Sequence, residues 1–208
     1  MQIGVSFMPQ RAAIALVLFG LLAVTIACAT APPRGSEATG PPGAPKATPT
    51  GKVTISYDLE RLNRIASNQI AVWIEDEKSN YVKTVYASAF MARGGYRSRP
   101  ECCPTWVKVS KWKNAAPSEV DAVSGPTQKA GRVVLAWDCT DRSGKPVPPA
   151  TYVVKLEGTI FWENRVLYQA AVPVGGARAQ IKPVPEYSPP AAKDIGEMVK
   201  NLVVEFTP

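Results

Sequence analysis

WDCTDRSGKPVPPATY, residues 137–152, separates two runs of strand character, RVVLAWD (132–138) and TYVVKLEG (151–158). Trp137 ends the first strand, Asp141-Arg142-Ser143-Gly144 makes the turn, and Pro148-Pro149 leads the chain into the next strand at Tyr152. Asp138 and Asp141 invite a calcium reading, but their spacing lacks the dense run of oxygen ligands that a calcium loop needs. Capping of the turn by these side chains is the expected role.

The same two-residue period extends outward. In KVTISYDL (52–59), Val53, Ile55, Tyr57 and Leu59 alternate with polar residues, giving one dry and one wet face. IAVWIED (70–76) and YVKTVYAS (81–88) flank Glu77-Lys78-Ser79-Asn80, a hairpin turn. Next come RVLYQAAVPV (165–174) and NLVVEF (201–206); Tyr152, Val154 and Leu156 share one face, as do Leu202, Val204 and Phe206. Seven strands punctuated by Gly/Pro turns predict an all-β fold, an immunoglobulin-like antiparallel sandwich over 51–208. Residues 89–116 interrupt the rhythm with a long loop holding one short helix, from Pro104 to about Lys113. Residues 117–131 read as an irregular connection rich in turn formers, and Lys193 to about Lys200 as a helical turn.

Residues 137–152 resemble the Ig-like module of flagellar hook-capping proteins, whose pattern runs W-D-G-x-D-x-x-G-x-x-V-P-x-G-x-Y. Cys139 and Ala150 stand in place of two of its glycines. Taken with IAVWIED, YVKTV and DAVSGPTQKAG, the resemblance covers nearly all of 52–174. It is similar to a family of predicted periplasmic proteins of unknown function that share this module. The resemblance implies the fold; it does not carry a flagellar function to this chain.

The 208 residues contain no histidine, which removes Ser-His-Asp and Cys-His triads, His-ligated metals and histidine acid–base chemistry. No catalytic residue and no metal site is singled out. Lys and Arg number 24 against 17 Asp and Glu. The excess is local: Arg93, Arg97, Arg99, Lys108, Lys111 and Lys113 lie between Phe90 and Ala115 against Glu101 alone, interleaved with Tyr96, Trp106 and Trp112. Export argues against nucleic acid, leaving an anionic surface or a cell-envelope protein as partner, or simply a solvated basic face.

Export is read from residues 1–28. Ala12–Ala27, AAIALVLFGLLAVTIA, is uncharged, follows Arg11, and falls short of the ~20 apolar residues of a membrane span. It ends in Thr25-Ile26-Ala27-Cys28, which resembles a bacterial lipobox, with Thr25 where an aliphatic residue is usual. The resemblance implies a diacylglycerol on Cys28 and a membrane-anchored periplasmic lipoprotein; ordinary cleavage near Ala29 or Ala31 is the alternative. Residues 29–50 form a tether in which 19 of 22 residues are Pro, Gly, Ala, Ser or Thr, too poor in apolar surface to fold.

With Cys28 lipidated, Cys102, Cys103 and Cys139 remain. Exported thiols tend to be oxidised, and a bridge from Cys102 or Cys103 to Cys139 would pin the irregular loop to the sandwich. A vicinal bridge or a reactive thiol among basic neighbours is the other reading. Asp121-Ala122-Val123-Ser124-Gly125-Pro126-Thr127 resembles the flavinylation motif of exported flavoproteins, D-x-x-S/T-S/G-A-T. Asp121, Ser124, Gly125 and Thr127 match, and Pro126 replaces Ala. The resemblance implies FMN joined to the Thr127 hydroxyl by a dedicated flavin transferase. Two functions follow: a non-catalytic, lipid-anchored module that binds or positions a cell-envelope partner, or an electron-transfer component carrying covalent FMN and meeting membrane redox proteins.

Overall fold

The computed structural model describes residues 51–208; the export signal, Cys28 and the tether lie outside the described residues. The seven expected strands are all present: β1 (Lys52–Leu59), β2 (Gln69–Asp76), β3 (Tyr81–Ser88), β5 (Gly131–Trp137), β6 (Ala150–Phe161), β7 (Asn164–Val174) and β10 (Val199–Thr207). Three short strands join them, β4 (Ser124–Gly125), β8 (Ala179–Ile181) and β9 (Glu186–Ser188). They form two sheets, ordered β5-β1-β10-β8 and β4-β3-β2-β6-β7-β9. Every pairing is antiparallel except β3 with β4. This is the Ig-like sandwich.

Alternation explains the inner core. Val53, Ile55, Tyr57 and Leu59 of β1 meet Ile70, Val72 and Ile74 of β2, Tyr152, Val154 and Leu156 of β6, and Leu202, Val204 and Phe206 of β10. Strand β2 is buried on both faces: Ala71 and Trp73 point the other way, into a second cluster with Ala87, Met91, Tyr96, Cys102, Cys103, Trp106 and Trp112. The cover over that outer face is residues 89–123. It contains α1 (Ala89–Ala92), α2 (Pro104–Val109) and α3 (Pro117–Val123), with 3₁₀ turns at Gly95–Arg97 and Trp112–Asn114. Residues 89–116, expected to hold one helix, hold two, α1 and α2, and α2 stops at Val109. Helix α3 replaces the first half of the connection expected to be irregular over 117–131; Pro117 opens it where a missing N–H is harmless, and Glu119 sits in its first turn. The turn expected over 193–200 is a 3₁₀ turn at Pro190–Ile195, and β10 begins at Val199. Among the described residues no helix is long and apolar enough to cross a membrane.

The 137–152 connection is held by side chains. Trp137 Nε1 donates to Thr140 O (2.8 Å), the Trp137 and Tyr152 rings meet edge-on at 5.4 Å, and Tyr152 Oη donates to Pro148 O (3.0 Å). Cys139 adopts φ 53°, the left-handed conformation for which the glycine of the pattern is suited. Asp141 Oδ1 accepts from Ser143 N, Ser143 Oγ and Lys145 N, and Asp138 Oδ1 from Thr140 Oγ1 and Lys83 Nζ. Both aspartates cap the turn. Asp76 does the same in the β2–β3 hairpin, accepting from Lys78 N, Asn80 N and Asn80 Nδ2.

Hydrogen bonds from Asn80 and Ser143 hold the Asp76 and Asp141 carboxyls below the ordinary aspartate value. The stability they contribute is thus complete above about pH 3.9 and lost as pH falls through their lowered folded values. Urea unfolding at pH 6 and pH 3 should show wild type losing more stability on acidification than Asp76→Asn/Asp141→Asn; equal losses would remove these turns from the acid response.

Candidate functional site

The DAVSGPT segment lies where the outer cover returns to the sandwich edge. Helix α3 ends as Ser124 turns extended, and Ser124–Gly125 pair in parallel with Ala87–Ser88 at the end of β3. Residues 126–130 then run without regular structure to β5. The expectation that the whole motif lies outside the strands is corrected here by β4, two residues long.

Three side chains from distant parts of the chain hold this segment. Arg93 Nε, just after α1, donates to Ser124 Oγ at 3.3 Å. Tyr86 Oη of β3 donates to Pro126 O at 2.9 Å, and Tyr57 Oη of β1 to Gln128 Oε1 at 2.6 Å. Burial pushes both phenols up, so they stay protonated donors at neutral pH. Gly125 lies flat on the Tyr86 ring, which a β-carbon at that position would overlap. Pro126 takes part through its carbonyl, the one hydrogen-bonding group its backbone has. Thr127 sits between the tyrosine anchors, half-buried, and its hydroxyl has no hydrogen-bond partner among the described residues. Asp121 is exposed on the last turn of α3.

Two depressions flank the segment. A cleft of about 270 Å³ is lined by Arg93, Arg97, Trp112, Lys113, Val120 and Asp121. A groove of about 540 Å³ opens at the edge between β3 and β5, against Lys83, Val85, Val123 and Trp137. Arg93, Arg97, Lys108, Lys111 and Lys113 are exposed, and neither they nor Arg99 enter an ion pair among the described residues. Arg99 lies over the Phe90 ring at 4.9 Å. Tyr96, Trp106 and Trp112 point inward, so the aromatics are the floor of the basic surface and not part of it.

The expected bridge from Cys139 to Cys102 or Cys103 is not formed, and all three thiols are free. Cys139 belongs to the core between the sheets, whereas Cys102 and Cys103 belong to the cluster on the outer face of the six-stranded sheet. The sheet stands between them. Burial pushes the Cys139 thiol up to about 11, and those of Cys102 and Cys103 up as well, the latter far up. Burial thus disfavours the thiolate at all three, which speaks against the alternative reading of a reactive thiol. Composition and motif leave Tyr57 and Tyr86 unmarked and mark Arg93 only as one of the basic residues; the three lie 71, 40 and 31 positions from the groups they hold.

Gly125→Val tests the close approach to Tyr86. Overpacking there should cost about 1–3 kcal/mol and lower the urea midpoint at constant m. An unchanged midpoint would show that the segment does not rest on the ring.

The sequence matches no curated protein. Among solved structures it is similar to truncated FlgD from Helicobacter pylori, 16% identical over 78% of this chain and 86% of that chain, with a TM-score of 0.31. The family model described as predicted periplasmic protein (DUF2271) matches residues 51–187, and the chain belongs to that family.

Proposed function

We propose that this periplasmic protein is an electron carrier in which FMN is joined to Thr127 and the head is anchored through a lipid on Cys28. The observation that carries the reading is the hydroxyl of Thr127, without a hydrogen-bond partner among the described residues, in an irregular segment fixed on either side by Tyr86 and Tyr57. A threonine with a structural task in a turn would spend its hydroxyl on the backbone; this one makes no such bond among the described residues. Ser124 and Gly125 are held by contacts of their own, so modification at Thr127 leaves them in place.

Attachment forms a bond from Thr127 Oγ1 to the flavin-side phosphorus of a flavin adenine dinucleotide. The pyrophosphate bond breaks, AMP leaves, and the hydroxyl proton passes to a base of the transferase. FMN held on Thr127 would supply one- or two-electron transfer, with membrane redox proteins as its partners. The chain's own contribution is placement. Tyr57, Tyr86 and Arg93 fix the acceptor segment, and the unpaired cations of 93–113 raise encounter rates with acidic partner faces or an anionic membrane surface. Without flavin, the same basic face favours the second reading, a lipid-anchored module that binds an envelope partner.

Coexpression with an active flavin transferase should add one FMN residue to the intact mass of wild type and none to Thr127→Ala, which stays folded. Pro126→Ala should be modified at least as fully as wild type. If wild type and Pro126→Ala both stay unmodified beside a modified control protein, the flavin reading fails and the binding module stands. Anchoring is checked separately: wild type should enter the detergent phase and Cys28→Ala should not. Mature wild type found wholly soluble, with an N-terminus beyond Cys28, would overturn the lipid.

A further inference from the structure

Resting on the flavin reading of Thr127, we propose that the cleft beside Asp121 receives the isoalloxazine ring, with Arg97 and Lys113 as the cations that raise its reduction potential. An isoalloxazine is a flat, largely apolar tricycle with one polar edge that becomes negative on reduction. The cleft offers the complement: Trp112 and Val120 as apolar wall, and Arg93, Arg97 and Lys113 against the single carboxylate of Asp121. Its volume, about 270 Å³, lies just below the ~300 Å³ at which whole small-molecule sites begin. That suits the ring system alone, with the ribityl phosphate running outside it along the motif.

The path from Thr127 to the cleft is short. Arg93 lines the cleft and reaches Ser124 Oγ, three residues before Thr127, a separation of roughly 10 Å for extended chain. The larger groove on the other side of α3 is the competing location, and charge decides against it. Of its two cations, Lys83 is already spent on Asp138 Oδ1 (3.1 Å) and Thr140 Oγ1 (2.6 Å), leaving Lys52 alone, whereas the cleft gathers three cations that form no ion pair among the described residues. An unpaired cation beside the ring stabilises the reduced, anionic form over the oxidised one and so raises the potential.

The test uses Arg97→Gln/Lys113→Gln, which removes two exposed charges without touching the motif or its three anchors. Lys108→Gln/Lys111→Gln removes equal charge from the same cover and serves as control. Each protein, made with a flavin transferase, is followed by intact mass, flavin midpoint potential and iodide quenching of flavin fluorescence. The expected result is full modification throughout, with a lower potential and severalfold stronger quenching in the cleft variant only. Full modification with potential and quenching equal to wild type overturns the cleft assignment and leaves Thr127 standing. Equal shifts in both variants overturn it too, reducing the effect to general charge. A cleft variant that loses modification while wild type keeps it assigns these cations to transferase recognition and again overturns the cleft. An unmodified wild type overturns the Thr127 reading itself.

Discussion

A carboxylate with no exposure to water has to be met by donors, and Glu157 organises the outer half of the molecule on that account. It projects from β6 on the face away from the sandwich core, where its Oε2 accepts from Trp106 N (2.9 Å) and its Oε1 from Thr105 N (3.3 Å), with Arg165 Nε at 3.5 Å. Burial pushes the carboxyl up, and these donors pull it down. They are the first free N–H groups of α2, so one side chain satisfies the helix end and clamps it to the sheet. From that clamp hang Trp106, whose Nε1 reaches Thr84 Oγ1 at 3.0 Å, and Cys103, whose N–H reaches Thr159 Oγ1 at 3.2 Å. Glu75 repeats the device nearby, accepting from Trp73 Nε1 and pairing with Lys155, both at 2.7 Å.

The cover thus fastened determines where the motif lies. Trp112 Nε1 donates to Ala92 O and ties the last 3₁₀ turn to α1, so Arg93 emerges beside the end of α3. Ser124 is then held from the cover, and Gln128 from the sandwich through Tyr57. A segment fixed at both ends yet paired through only two residues of strand keeps its place with little local stability of its own, the combination that a modified loop needs.

The sandwich was legible because alternation is a strong signal where one face is wet. Val53 to Leu59 reads as a strand without any structure, and so does Tyr152 to Leu156. Strands β4, β8 and β9, of two or three residues, are too short to show a period. The continuous run Ile70–Ile74 announces burial on both faces, but not what supplies the second partner. Pro117 and Glu119 were readable start signals for α3, masked by the turn formers around them. The thiols show the limit most plainly. Counting Cys102, Cys103 and Cys139 says nothing of which face of the sheet each occupies, and burial on opposite faces decides the pairing. The motif itself was legible; its anchors came from β1, β3 and the end of α1, brought near only by the fold.

The register of β1 against β10 sets Lys52 opposite Thr207. β1 has β5 on one edge, but its other neighbour is supplied only by the last described strand, a loop closure across nearly all the described residues. Until then the four-stranded sheet lacks its central pairing, and β1 presents an open edge to the surroundings.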